Sequence, residues 1–412
     1  MSRLTNFTRV ATTGTLLALA ACESNGKALG PSAPPGGEIF RSYVALGNSI
    51  TAGFQSGGIN DSTQRQSYAR LLATQMGTSY RYAALAMPGC PAPVNNFQTQ
   101  TRVGGGTVVC SARVLSSVTD VLNNVAVPDA QSWDPTAVST SASNALTTFI
   151  LGGETQVQRA LDAQPTFVTS WFGGNDVLQA AYTGILVATP GVSIGIRSTP
   201  AQFQANYDLL LKQLMDSAPG LKGVLIGVPK VSSLPLMTLG ATITNPAFAA
   251  VAQLTINTVA GKPVVINSNC VGSTSLITLP LLLRQIAAGT HPAQISCLPG
   301  VDPLNPLVGN LFVHDPQEQA TLNAVIDADN AYLKSKADAI GFGYWDPNPP
   351  LLAIRGTAQS LAFPNFGDAT NPFGTAFSLD GVHPSAAGQR LIANFLIGVI
   401  NAKYATTLQP AP

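Results

Sequence analysis

From residue 43 onward the chain repeats one pattern: a short apolar run breaks at small or polar residues and a helical period follows. Tyr43-Val44-Ala45-Leu46-Gly47 runs into Asn48-Ser49-Ile50-Thr51-Ala52-Gly53, and Arg81 to Ala86 runs into Met87-Pro88-Gly89-Cys90. Phe167 to Trp171 ends in Phe172-Gly173-Gly174-Asn175-Asp176, Gly223 to Val228 ends at Pro229, and Phe342 to Trp345 ends at Asp346. Between and after these runs, apolar residues recur at helical spacing. The helical segments are Tyr68 to Met76 behind Ser67, Gln156 to Ala163, a helix opened by Thr199-Pro200, Gln317 to Ala339, and Ser385 to about Ala402. Strand and helix alternate five times. Such alternation predicts an α/β fold, a three-layer α/β/α sandwich around a five-stranded parallel sheet with right-handed crossovers. In open sheets of this kind ligands bind beyond the carboxyl ends of the strands, so the residues just after each run are where chemistry is sought.

Ser49 follows the first run, Gly89 the second and Asn175 the third. A serine held there becomes a nucleophile if a base reaches it. The chain has three histidines, His291, His314 and His383. His314, beside Asp315-Pro316, reads as a loop residue ahead of a long helix, and His291 lies near Cys297. His383 alone has a carboxylate three positions earlier in a glycine-containing loop, Asp380-Gly381-Val382-His383-Pro384. That spacing can put Asp380 on one imidazole nitrogen while the other faces Ser49. Taken singly, each of these pieces also reads as a turn, a helix cap or a satisfied histidine.

Taken together and in order, they resemble the SGNH, or GDSL, hydrolase family. Gly47-Asn48-Ser49-Ile50 resembles the first sequence block, Pro88-Gly89 the second, Gly173-Gly174-Asn175-Asp176 the third and Asp380-Gly381-Val382-His383-Pro384 the fifth. The resemblance spans about residues 40 to 402 apart from insertions. It implies a flavodoxin-like fold and a serine esterase or lipase acting on carboxylic, acyl esters. It implies Ser49, Asp380 and His383 as catalytic residues, the backbone N–H groups of Ser49 and Gly89 and the amide of Asn175 as oxyanion donors, and no metal or cofactor. One departure is local: the family's Gly-Asp-Ser is here Gly-Asn-Ser, so Asn48 must hold the nucleophile turn without a charge. Two other readings stay open: an acetyl esterase acting on envelope or environmental polysaccharide, and a non-catalytic envelope lipoprotein that uses the fold for binding.

Hydrophobic residues make up 45% of the 412 and charged residues 10%, enough for a large core and too apolar for a disordered chain. A net charge of +1 gives no reason to expect a nucleic-acid partner. Arg3 and Arg9 precede a short apolar stretch, Val10 to Ala20, which reads as an export signal. Leu19-Ala20-Ala21-Cys22 resembles the lipobox of bacterial lipoproteins. This predicts a signal peptide over 1–21 and a lipid on Cys22, with Glu23 favouring the outer membrane where the cell has two membranes. A tether rich in Gly, Pro and Ser follows over 22–39, then one hydrolase domain over 40–404 and a tail over 405–412. Insertions interrupt the domain at about 91–153 and 231–310. The second carries Leu234-Pro235-Leu236-Met237 and Leu279-Pro280-Leu281-Leu282-Leu283, fit either for an acyl site or lid or for ordinary core packing. Four further cysteines allow three pairings, of which the local one, Cys90–Cys110 with Cys270–Cys297, is expected in an exported protein.

Overall fold

The computed structural model describes residues 36–105, 113–114, 121–137, 142, 146–183, 186, 195–247, 249–298 and 312–412. The expected signal peptide, Cys22, most of the tether and Cys110 lie outside the described residues. Four parallel strands form the central sheet in the order β1 (Tyr43–Gly47), β2 (Phe167–Trp171), β3 (Lys222–Ile226) and β4 (Gly343–Trp345). The helices that matter for the site are, in chain order, α1 (Ser49–Ala52), α2 (Tyr68–Met76), α3 (Gln156–Asp162), α4 (Gly174–Thr183), α5 (Pro200–Ser217), α6 (Leu279–Ala288), α7 (Pro316–Ile340), α8 (Asn348–Ile354) and α9 (Ala386–Tyr404).

Every residue of β1 and β2 is buried, as expected for strands covered on both faces. The two-residue strand period divides β1 between two cores. Tyr43 and Ala45 pack with Tyr68 and Leu72 of α2 and with Leu396 and Ile400 of α9. Val44 and Leu46 face the other way, into the core that holds Phe203, Tyr207 and Leu210 of α5 and Ile326 and Leu333 of α7. The helices begin where their capping residues stand. The side chains of Ser67, Thr155, Thr199, Asp315 and Ser385 each accept a backbone N–H of the first turn.

The expectation of five strands is corrected to four. Arg81 to Ala86 makes only isolated bridges, Tyr82 to Asn124 and Leu85 to Arg113. The edge of β1 is taken instead by residues 123–127: Ala45 donates to the Asn123 carbonyl at 2.7 Å, and Val125 and Val127 donate to Ala45 and Gly47 at 3.0 and 3.2 Å. Residues 83 and 85 need no strand partner because the buried Gln64 side chain serves them. Its amide donates to the Ala83 carbonyl and its oxygen accepts from the Leu85 N–H, at 3.0 and 2.8 Å.

Residues 231–298 carry small sheets and helices, including α6. Leu234, Leu236, Met237, Leu279, Pro280, Leu282 and Leu283 are all buried, so these apolar runs serve mainly as core. Cys270 and Cys297 form a disulfide with a Cα separation of 4.9 Å. It closes a loop of 27 residues, which in the chain-entropy model contributes about 3.5 kcal/mol. The double variant Cys270→Ser/Cys297→Ser is expected to lose about that much in urea unfolding, and an unchanged midpoint would refute the assignment of stability to this link. Cys90 is buried and disulfide-bonded; Cys110, its expected partner, lies outside the described residues.

Candidate active site

Gly47 closes β1 against Trp171 of β2, and Ser49 opens α1 directly beyond it. A side chain at Gly47 would put its Cβ 2.3 Å from the Thr51 hydroxyl, so the strand-to-helix turn admits only glycine there. Gln156, at the start of α3, pins that glycine from both sides. Its oxygen accepts the Gly47 N–H at 3.0 Å and its amide donates to the Gly47 carbonyl at 3.1 Å. Asn48 caps α1, with Oδ1 accepting from the Ile50 N–H at 3.1 Å. A carboxylate would accept the same bond, so the turn keeps its cap without the charge.

The structure brings Ser49, His383 and Asp380 into one hydrogen-bonded line. The Ser49 hydroxyl lies 2.9 Å from His383 Nε2, and His383 Nδ1 lies 2.9 Å from Asp380 Oδ2. Asp380 is held on all sides. Its Oδ1 accepts from the N–H groups of Val382 and His383 at 2.9 and 2.8 Å and from the Ser378 hydroxyl at 3.1 Å. Its Oδ2 also accepts from the Gly57 N–H at 2.9 Å. Burial pushes this carboxyl up, but the charge of His383 and the hydrogen bonds from His383 and Val382 outweigh it and hold Asp380 well below the usual carboxylate range. Gly381, at φ +71°, makes the tight turn between Asp380 and His383, and the Phe54 ring packs 4.8 Å from the imidazole centroid.

Two further backbone contacts register the turn at 378–383 against the loop after α1: Ser56 N–H donates to the Ser378 hydroxyl at 2.8 Å and Leu379 N–H donates to the Ser56 hydroxyl at 3.1 Å. Gln389 ties the far end. Buried in α9, it accepts the Tyr68 N–H at 2.9 Å and donates to the Ile50 carbonyl at 3.0 Å, joining α9, α2 and α1. Sequence reasoning missed Gln156, Gln389, Ser56 and Gly57. Gln389 carried a signal, a polar residue on the same helical stripe as the buried Ala393, Leu396 and Ile400.

Ser49, His383 and Asn175 line one cavity of about 200 Å³, walled mostly by apolar side chains such as Leu178, Val231, Leu234, Leu351, Ile354 and Phe395. Asn175, near the start of α4, spends one amide proton on the Ala130 carbonyl at 2.9 Å, which fixes the direction of the other. Its neighbour Asp176 is structural. It accepts from the Ser132 N–H and hydroxyl at 3.0 and 2.6 Å and anchors the segment that carries Ala130. The Ser49 N–H, at the first position of α1, is free of any helical acceptor.

Gly89 is not among the residues lining this cavity. It lies on a loop held beside α1. Cys90 shares a small buried cluster with Ala52, and its N–H donates to the Ile59 carbonyl at 2.8 Å. Gly89 has φ +134°, and a Cβ there would come within 2.6 Å of the Ile59 carbonyl oxygen. Its own N–H has no acceptor among the described residues. The remaining histidines stay apart from the site. His314 is buried in a short strand, Val313–His314, with Nε2 2.6 Å from the Ala181 carbonyl, and burial lowers its pKa. His291 stacks edge-on against Phe312.

The profile of the family described as GDSL-like Lipase/Acylhydrolase matches residues 43–396. No curated protein matches the chain. Among solved structures, an extracellular lipase from Streptomyces rimosus aligns at 17% identity over 88% of this chain and 99% of that chain, with a TM-score of 0.35. A phospholipase A1 from Streptomyces albidoflavus NA297 aligns at 15% identity over 88% of this chain and 98% of that chain, also at 0.35. Overlaps of this size carry nothing about substrate. The family match, which covers most of the chain and runs from β1 through most of α9, is enough to place it: the chain belongs to the GDSL-like lipase/acylhydrolase family and is an ester hydrolase of that family's α/β fold.

Proposed function

We propose that the chain is a serine esterase or lipase that hydrolyses carboxylic esters of acyl lipids, with Ser49, His383 and Asp380 as its triad. The observation that carries this reading is the unbroken line of hydrogen bonds from Ser49 through His383 to Asp380, opening on an apolar cavity. His383 Nε2 takes the hydroxyl proton as Ser49 attacks the ester carbonyl. Asp380, kept ionised by its donors, holds the proton on Nδ1 and stabilises the imidazolium that forms. The tetrahedral oxyanion is met by the Ser49 N–H and the second amide proton of Asn175. Gly89 is the third donor in this reading, supported by its free N–H and its place beside α1. His383 then protonates the leaving alcohol, and water, activated by the same base, releases the acyl group.

The test is the hydrolysis of nitrophenyl esters of increasing acyl length by residues 23–412. Each methylene buried in the apolar cavity is worth about 0.8 kcal/mol, so kcat/KM is expected to rise at least tenfold from acetyl to octanoyl. Preference for acetyl would favour the polysaccharide acetyl esterase, and no turnover of any ester would favour the binding lipoprotein. Asn175→Ala is expected to lower kcat by about 10²–10³ with KM little changed. A loss below tenfold would remove Asn175 from the oxyanion site. The envelope address is part of the same proposal: with Cys22 lipidated, the mature chain partitions with membranes and Cys22→Ser releases it.

A further inference from the structure

A second cavity, of about 230 Å³, meets the turn carrying the acid at Leu379 and Asp380, whereas the Ser49 cavity meets it at Val382, His383 and Pro384. The two share no lining residue. The second is built from the loop after α1, the strip around Arg102, the end of α4 and the start of α6. Its polar lining is lopsided. Two guanidinium groups, Arg102 and Arg284, line it with the Tyr182 ring, and Asp380 is the only carboxylate among its described lining residues.

That carboxylate is committed to His383, Gly57, Val382 and Ser378 and forms no ion pair with either arginine. Arg284 makes no hydrogen bond or ion pair with any described residue; its guanidinium sits 6.0 Å from the centroid of the Phe97 ring. Arg102 spends Nη1 on the carbonyls of Gly57 and Ala92, which fixes its side chain and leaves its other nitrogens without an acceptor among the described residues. The Tyr182 hydroxyl likewise has no described acceptor. Two cations and a phenol line one cavity in a chain with so few charges, and among the described residues no anion is paired with either arginine.

We infer that this cavity binds a phosphate-type oxyanion on Arg102 and Arg284, with the Tyr182 hydroxyl as a further donor. The planar fork of arginine presents paired N–H groups that match tetrahedral oxyanions. Burial and the nearby charge of Arg102 both push the Arg284 guanidinium down, against the pull of Asp380, and a bound anion relieves that repulsion. The oxyanion could come from free phosphate or from a phospholipid headgroup; in either case it sits behind the acid rather than at the nucleophile. Binding there goes beyond the esterase reading and does not depend on it.

The experiment is calorimetric titration of the purified protein with inorganic phosphate and, in parallel, with glycerophosphoglycerol, a water-soluble phosphodiester headgroup that carries no acyl ester for the Ser49 site to bind or cleave. Saturable binding of at least one ligand is expected, weakened tenfold or more by Arg284→Gln and less by Arg284→Lys, which keeps the charge but loses the fork. Tyr182→Phe is expected to weaken it about threefold. Tighter binding of the phosphodiester identifies the headgroup as the source, and tighter binding of phosphate identifies the free ion. Hydrolysis of neutral nitrophenyl acetate, measured on each variant, reports folding and the catalytic site separately. No saturable binding of either ligand below about 10 mM would overturn the inference, as would equal affinity in wild type, Arg284→Gln and Arg284→Lys.

Discussion

Ser49→Ala is expected to lower kcat on a nitrophenyl ester by on the order of 10⁶, and His383→Ala by a similar factor, because the two act as one unit. In the proposed mechanism the loss is large because the hydroxyl forms the covalent bond and the imidazole both activates it and protonates the leaving group. Combining the two substitutions is expected to cost little more than either alone. Asp380→Asn is expected to cost about 10⁴. An amide at 380 can still accept from the Val382 and His383 N–H groups, so the turn survives, but it favours the wrong imidazole tautomer and carries no charge to stabilise the imidazolium. Steady-state kinetics with thermal melts as folding controls, and a fluorophosphonate label traced to one peptide, decide the matter. Activity equal in wild type and Ser49→Ala, or a label on any other residue, would sink the triad.

The second large effect is on stability. Asp329 is 1% exposed within α7, its Oδ1 has no hydrogen-bond partner among the described residues, and burial together with the negative charge of Asp176 raises its pKa to about 8. The unfolded chain has an ordinary value near 3.9. Below about pH 4 the carboxyl is protonated in both states and contributes nothing to the balance. Between about pH 4 and 8 only the unfolded chain ionises, so stability falls as pH rises, by about 1.4 kcal/mol per unit; above pH 8 the loss levels off at about 6 kcal/mol. Asp329→Asn, which cannot ionise, removes that slope. Urea unfolding of both proteins at pH 6, 7 and 8 is expected to show the variant gaining on wild type at each step and standing a few kcal/mol more stable at pH 8. Parallel curves would mean that Asp329 is ionised in the native state.

The contrast between Asp327 and Asp329 shows where sequence reading stops. Both sit in one amphipathic helix, two residues apart. Asp327 is exposed and pairs with Lys230 at 2.8 Å, while Asp329 is buried beside Asn330, whose side chain bonds the backbone of Val228. The helical stripe through Leu322, Ile326, Leu333 and Ala337 runs over Asp329 as well, so its burial was legible, but its partnerless oxygen was not. Likewise the run Arg81 to Ala86 had the composition of a strand, but its backbone is bonded piecemeal, by the Gln64 side chain and by the N–H groups of Asp61, Val114, Asn123 and Asn124, rather than by one neighbouring strand. Nothing local to either segment encodes that competition.

The alternation of helices with four of the five strand runs, the caps at Ser67 and Thr199, the glycine-containing turn from Asp380 to His383 and the candidate residues Ser49 and Asn175 were determined by the sequence alone. These are short-range matters of periodicity, capping hydroxyls and residues three apart, which chain-local physics decides. Tertiary structure alone decided that the N–H of Gly57 would grip Asp380, that Gln156 and Gln389 would brace the turn carrying Ser49, and that Arg102 and Arg284 would face one cavity. Each of these joins groups far apart in the chain, and several use backbone N–H donors that every residue but proline carries. Such contacts leave no mark in the sequence, because what selects them is the geometry of the packed sheet and its loops.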